Sequence, residues 1–97
     1  MNPERRERLH TIVEGNVQGV GFRFFVSEKA KELRLNGWVR NTLKGQVEVL
    51  AEGNRDDLEK LLSYLYRGPG SGYVARIVPE WRDATGEFYR FYIKPTL

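Results

Sequence analysis

Nine consecutive residues, Gly15-Asn16-Val17-Gln18-Gly19-Val20-Gly21-Phe22-Arg23, carry the strongest chemical hint in this 97-residue chain. Glycine reaches positive φ at no steric cost, so these glycines let the backbone turn successive N–H groups toward one point. The stretch lies between an alternating segment and the start of a helical pattern. Its last amides are therefore those that a helix N-terminus leaves unpaired. A concave set of amides with a helix dipole behind it attracts an anion. Arg23 falls in the first turn of that helix, where a cation opposes the dipole. A residue set against its local preference points to a ligand. A planar guanidinium also matches two phosphate oxygens at once. The chemistry this predicts is phosphate binding, with a plain connector as the competing account of the loop. Two familiar phosphate loops are excluded. No Gly-Lys-Ser/Thr follows, as a Walker loop needs, and Gly19-Val20-Gly21 lacks the third glycine and parallel unit of a dinucleotide fingerprint.

Asn41 is the second residue of interest. It ends a short strand-like stretch, Trp38 to Asn41, and enters the turn Thr42-Leu43-Lys44-Gly45. Asparagine is an ordinary turn residue. Its side-chain amide is also able to accept a hydrogen bond from a water and hold it in line with a phosphorus atom. The residue type alone decides nothing between these roles. His10, the one histidine, stands in mid-strand and reads as a partly exposed sheet residue, not a base. Glu14 and Glu48 have no spacing that pairs them as acid and base. Trp38, Trp81, Tyr89, Phe91 and Tyr92 read as packing aromatics.

The elements that must position these residues follow from hydrophobic period. Leu9 to Glu14 alternates as a strand does. From Phe22 the period lengthens, and Phe22, Phe25, Val26, Ala30 and Leu33 line one helical face. Asn36-Gly37 predicts a left-handed glycine cap ending that helix. Trp38–Asn41 and Gln46–Glu52 then read as a hairpin. Asn54 caps a second helix, with Asp56 and Asp57 in its first turn and a stripe of Leu58, Leu61, Leu62 and Leu65. Gly68-Pro69-Gly70-Ser71-Gly72 stops it, and strand-like segments follow at Tyr73–Arg82 and Glu87–Lys94. The order is β-α-β-β-α-β plus a C-terminal strand. It predicts an α+β, ferredoxin-like split βαβ sandwich: an antiparallel sheet with two helices on one face. Residues 9–97 form one domain in this reading, and residues 1–8 an N-terminal extension.

Composition narrows the function classes. Without cysteine there is no disulfide, thiolate metal site or cysteine nucleophile. One histidine leaves too few ligands for a transition-metal centre, so neither metal nor cofactor is expected. No stretch approaches the roughly 20 apolar residues of a membrane span, and no signal peptide is evident. The excess of 16 Lys+Arg over 13 Asp+Glu suits an anionic small molecule but is too scattered to require nucleic acid. A cytoplasmic monomer is the expectation. One binding module competes: Gly19-Val20-Gly21-Phe22-Arg23-Phe24-Phe25-Val26 faintly resembles the aromatic octamer of RNA-recognition domains. That octamer lies on a central strand, whereas this one falls where a helix begins.

The two segments together resemble a known family. Gly15-Asn16-Val17-Gln18-Gly19-Val20-Gly21-Phe22-Arg23 is similar to the first acylphosphatase signature. Gly37-Trp38-Val39-Arg40-Asn41-Thr42-Leu43-Lys44-Gly45-Gln46-Val47-Glu48-Val49-Leu50-Ala51-Glu52-Gly53 is similar to the second. Their order and separation also fit, and the likeness continues through Gly68-Pro69 and Thr85-Gly86-Glu87-Phe88, leaving out residues 1–8. The resemblance implies a metal-free hydrolase that takes a small acyl phosphate and releases inorganic phosphate. It implies that the amides of Gln18, Gly19, Val20, Gly21, Phe22 and Arg23 bind the phosphate and that the Arg23 side chain completes the cradle. It gives Asn41 the attacking water and Thr42 a supporting role. An acyl phosphate suits a site without a strong base, since the departing carboxylate is weakly basic and positioning with charge neutralisation suffices.

Overall fold

The structure, a computed structural model, describes residues 5–97. Its elements are β1 (Glu7–Asn16), α1 (Phe22–Glu32), β2 (Asn36–Asn41), β3 (Val47–Gly53), α2 (Arg55–Arg67), β4 (Tyr73–Asp83) and β5 (Phe91–Ile93). They form a five-stranded sheet in the order β4-β1-β3-β2-β5. The α+β, ferredoxin-like architecture expected from the sequence is present. β1 starts at Glu7, so Glu7 and Arg8 belong to the sheet. The remainder of the expected extension reaches residues 1–4, which lie outside the described residues.

Alternation decides the layers. Leu9, Thr11 and Val13 of β1 are fully buried, as are Val39 of β2 and Val49 of β3. They meet Val26 and Ala30 of α1 and Leu58, Leu61 and Leu65 of α2 in one core cluster, with Phe25, Leu33 and Leu62 packed at its margin. Every helical stripe read from spacing thus faces the sheet.

Two expectations are corrected. The sheet is mixed, not antiparallel, because β5 pairs parallel with β2 through Gly37↔Phe91, Trp38↔Tyr92 and Val39↔Ile93. The cause is the route of the chain. β4 and β5 occupy opposite edges, and residues 84–90 cross one end of the sheet, bonded in passing to Arg6, Glu52 and Gly37. The strand that emerges runs with β2. The second correction concerns Gly37, which is not a helix cap. Arg34 takes the left-handed position at φ 58°. The Leu35 N–H then bonds to the Ala30 carbonyl at 2.9 Å and the Arg34 N–H to that of Lys31 at 3.0 Å, closing the helix as a Schellman motif. Gly37 instead lies inside β2 at φ 139°, where a Cβ would collide with the Leu50 carbonyl.

The crossing segment is pinned by Glu52, a residue only 1% exposed. Its carboxylate accepts hydrogen bonds from Arg8 Nε (2.7 Å), the Thr85 N–H (2.9 Å), the Gly86 N–H (3.0 Å) and Thr85 Oγ1 (3.2 Å). Burial pushes this carboxyl up, but the donors outweigh burial and hold it below the ordinary value of 4.5. Glu48 behaves alike, with His10 at 2.6 Å and Arg40 at 2.7 Å offsetting its burial. A carboxyl lowered by folding contributes fully above its unfolded value, and the contribution is lost as pH falls through the folded one. Glu52→Gln is expected to cost about 2 kcal/mol near neutral pH. It also removes part of the acid-side decline below 4.5, while Glu48 keeps the rest. Urea unfolding at neutral and acidic pH measures both effects. An acid limb identical to that of the unsubstituted protein would refute the assignment.

Candidate active site

Three stretches of chain meet at the end of the sheet opposite the crossing segment: the loop after β1, the first turn of α1 and the last residue of β2. Between them lies a cleft of about 230 Å³, lined by Val17, Gly19, Gly21, Phe22, Arg23, Phe24, Asn41 and Ile93.

The loop is built to leave amides unpaired. Gly19 and Gly21 have φ of 74° and 77°, with open space around the missing Cβ. Backbone conformation, not crowding, therefore requires glycine at both. Gly21 is the residue that caps α1. No side chain caps the helix and no acidic residue stands in its first turn. The Phe25 N–H makes the first intrahelical bond, to the Gly21 carbonyl at 3.0 Å, so the amides of Phe22, Arg23 and Phe24 precede the ladder. The second helix shows what this chain does where no ligand is wanted. Asn54 Oδ1 accepts the Asp57 N–H at 3.0 Å, and Asp56 and Asp57 satisfy the dipole. In α1 the same duties are left open.

Arg23 stands at this open end and lines the cleft. Among the described residues no carboxylate lies within ion-pair distance of it. A half-exposed guanidinium at the positive end of a helix, with no acid beside it among the described residues, has the charge and open donors that attract an anion. Asn41 enters from β2, pairing with Val47 across the sheet. Its Oδ1 is buried and has no hydrogen-bond partner among the described residues. A buried acceptor left open is costly, and this one borders the cleft.

Of the loop residues expected at the phosphate, Gly19, Gly21, Phe22 and Arg23 line the cleft, and Gln18 and Val20 do not. The Gln18 side chain spans to the hairpin, where Nε2 donates to the carbonyls of Thr42 (2.8 Å) and Gln46 (2.7 Å). It ties the glycine loop to the turn that carries Asn41. The Val20 carbonyl accepts from Ser71 Oγ at 3.3 Å. Thr42 closes the turn, since its Oγ1 accepts the Gln46 and Lys44 N–H groups at 3.2 and 3.3 Å. Sequence reasoning missed Val17, Phe24 and Ile93 as lining residues. Phe24 had a signal: it is an aromatic off the buried stripe of its helix. Ile93 had none, because only the parallel β2·β5 pairing brings it there.

Comparison with known proteins gives the family. The acylphosphatase family profile matches residues 9–93. The acylphosphatase of Pelotomaculum thermopropionicum is 43% identical over 88 residues, which are 91% of this chain and 96% of that one. The crystal structure of acylphosphatase from Bacillus subtilis superposes with a TM-score of 0.88 at 36% identity, over 91% of this chain and 98% of that one. Full-length HypF, in a phosphate- and nucleotide-bound form, superposes with a TM-score of 0.86 at 26% identity, but over only 12% of its own length. With the fold, both motifs and the relatives in agreement over nearly the whole length, the chain belongs to the acylphosphatase family of acyl phosphate hydrolases.

Proposed function

We propose that this protein hydrolyses the carboxyl–phosphate bond of a small acyl phosphate, using its own backbone amides and Arg23 in place of a metal ion. The observation that carries the reading is the open Oδ1 of Asn41 in the same cleft as the uncapped end of α1. The amides from Gly19 to Phe24 and the Arg23 guanidinium take the phosphate oxygens and neutralise their charge. Asn41 Oδ1 accepts a hydrogen bond from a water and holds it in line with phosphorus. The water oxygen bonds to phosphorus, the bond from phosphorus to the acyl oxygen breaks, and carboxylate leaves with the electron pair. The water's proton passes to the phosphate, which departs as inorganic phosphate. No three His, Cys, Asp or Glu side chains gather as metal ligands among the described residues, so amides and Arg23 are the groups at hand for charge neutralisation. A monomer is the active unit in this proposal. A chain without cysteine suits the cytoplasm. No helix among the described residues is long and apolar enough to cross a membrane.

The test is direct. Purified protein, freed of metal and kept in chelator, is expected to hydrolyse benzoyl phosphate well above the buffer rate. A rate equal to buffer would overturn the activity, and a rate restored only by added divalent metal would overturn the metal-free mechanism.

A further inference from the structure

The cleft has two chemically different halves. Its lining joins the glycine loop and Arg23 to two apolar side chains, Phe24 and Ile93, that stay open to solvent. Phe24 is 63% exposed and Ile93 43% exposed, on a chain whose other helical apolar residues mostly face the core. Single exposed apolar residues are ordinary on a protein surface. Two from different elements, lining one polar cleft, form an apolar side to it. α1 supplies one at the residue after Arg23. β5 supplies the other through its parallel pairing with β2, where Val39↔Ile93 sets the register beside the strand that ends in Asn41. The charge is one-sided, because among the described residues Arg23 is the only charged side chain lining the cleft.

Resting on the acyl phosphate reading above, we propose that Phe24 and Ile93 form an acyl-group subsite that selects aromatic and branched aliphatic acyl phosphates over short or anionic ones. Once the phosphate occupies the amide cradle, the substituent that projects outward meets the phenyl ring and the isoleucine side chain. Apolar surface on that substituent is removed from water and contributes binding. A second anionic group on the acyl chain finds no further cation among the described lining residues, since Arg23 is already engaged. Its desolvation is uncompensated. The subsite therefore sets specificity through the substituent while the phosphate supplies the common anchor.

The experiment compares kcat/KM for benzoyl, acetyl and succinyl phosphate in the unsubstituted protein and in Phe24→Ala/Ile93→Ala. Using a ratio of proteins cancels the unequal intrinsic reactivity of the three acyl phosphates. The benzoyl-to-acetyl preference is expected to fall on the order of tenfold in the double variant, with succinyl phosphate the poorest of the three substrates in the unsubstituted protein. A preference changed by less than about twofold, or succinyl phosphate outperforming acetyl phosphate, would overturn the subsite. A calorimetric comparison of phenylphosphonate with methylphosphonate on the unsubstituted protein needs neither turnover nor a folded variant. Phenylphosphonate is expected to bind on the order of tenfold more tightly, and equal affinities would overturn the subsite. Absence of turnover with all three acyl phosphates would instead sink the hydrolase reading and leave the phosphonate comparison to decide the subsite on its own.

Discussion

Arg23→Ala is expected to lower kcat/KM for an acyl phosphate by about 10³-fold and to weaken competitive inhibition by inorganic phosphate in parallel. The side chain lines the cleft, stands at the open end of α1 and has no carboxylate partner among the described residues. Its removal therefore breaks no structural ion pair. The cation sits at the positive end of a helix, so deleting it is expected to stabilise the fold by about 0.5 kcal/mol, or about 3 °C for a domain of this size. Activity lost while the melting temperature rises is the mark of a residue retained for its ligand. Arg23→Lys keeps the charge but not the fork, and it restores only a minor part of the activity. Phosphate inhibition and thermal melts, measured on the same preparations, check the whole pattern. A variant that loses stability along with activity would place Arg23 in the scaffold.

Asn41→Ala is expected to lower kcat by about 10²-fold to 10³-fold, with the inhibition constant of inorganic phosphate moved by less than about twofold. Asn41 differs from Arg23 because its side-chain oxygen accepts a hydrogen bond, which suits a water and not an anion. Oδ1 is buried without a partner, so its deletion removes an unsatisfied acceptor and leaves stability unharmed. Asn41→Asp keeps an acceptor oxygen but places a second negative charge beside the phosphate. It is expected to weaken phosphate inhibition where Asn41→Ala does not. Steady-state kinetics with product inhibition separate the three proteins. Equal loss of phosphate affinity in Arg23→Ala and Asn41→Ala would refute the division of roles.

The supporting residues explain why these two side chains meet at all. Gln18 bridges the glycine loop to the carbonyls of Thr42 and Gln46, and Thr42 closes the turn that follows Asn41. The glycine loop and the turn that follows Asn41 are thus braced against each other by side-chain-to-backbone bonds. Bonds of this kind fix relative position within the tolerance that in-line attack demands.

Much of this was legible in the sequence, for reasons local to each stretch. The stripes of α1 and α2, the Asn54 cap and the alternation of β1 and β3 depend on spacing over a few residues, and spacing is written in the chain. So is the anion loop, since glycines before a helix and an arginine in its first turn are local facts. Asn41 was not legible in that way. As a residue it was an ordinary turn asparagine, and only its likeness to a family motif singled it out.

Tertiary structure decided what no local pattern holds. It carried residues 84–90 across the end of the sheet on the Glu52 pin, so that β5 runs parallel to β2. It thereby brought Ile93 to the cleft that Phe24 also lines. It moved Gly37 from a helix cap to a point of close strand approach and gave the left-handed cap to Arg34. It also left the Asn41 oxygen buried without a partner next to the uncapped helix. Each of these depends on which distant strands become neighbours, and that is settled by core packing and chain routing between elements, not by the period within any one of them.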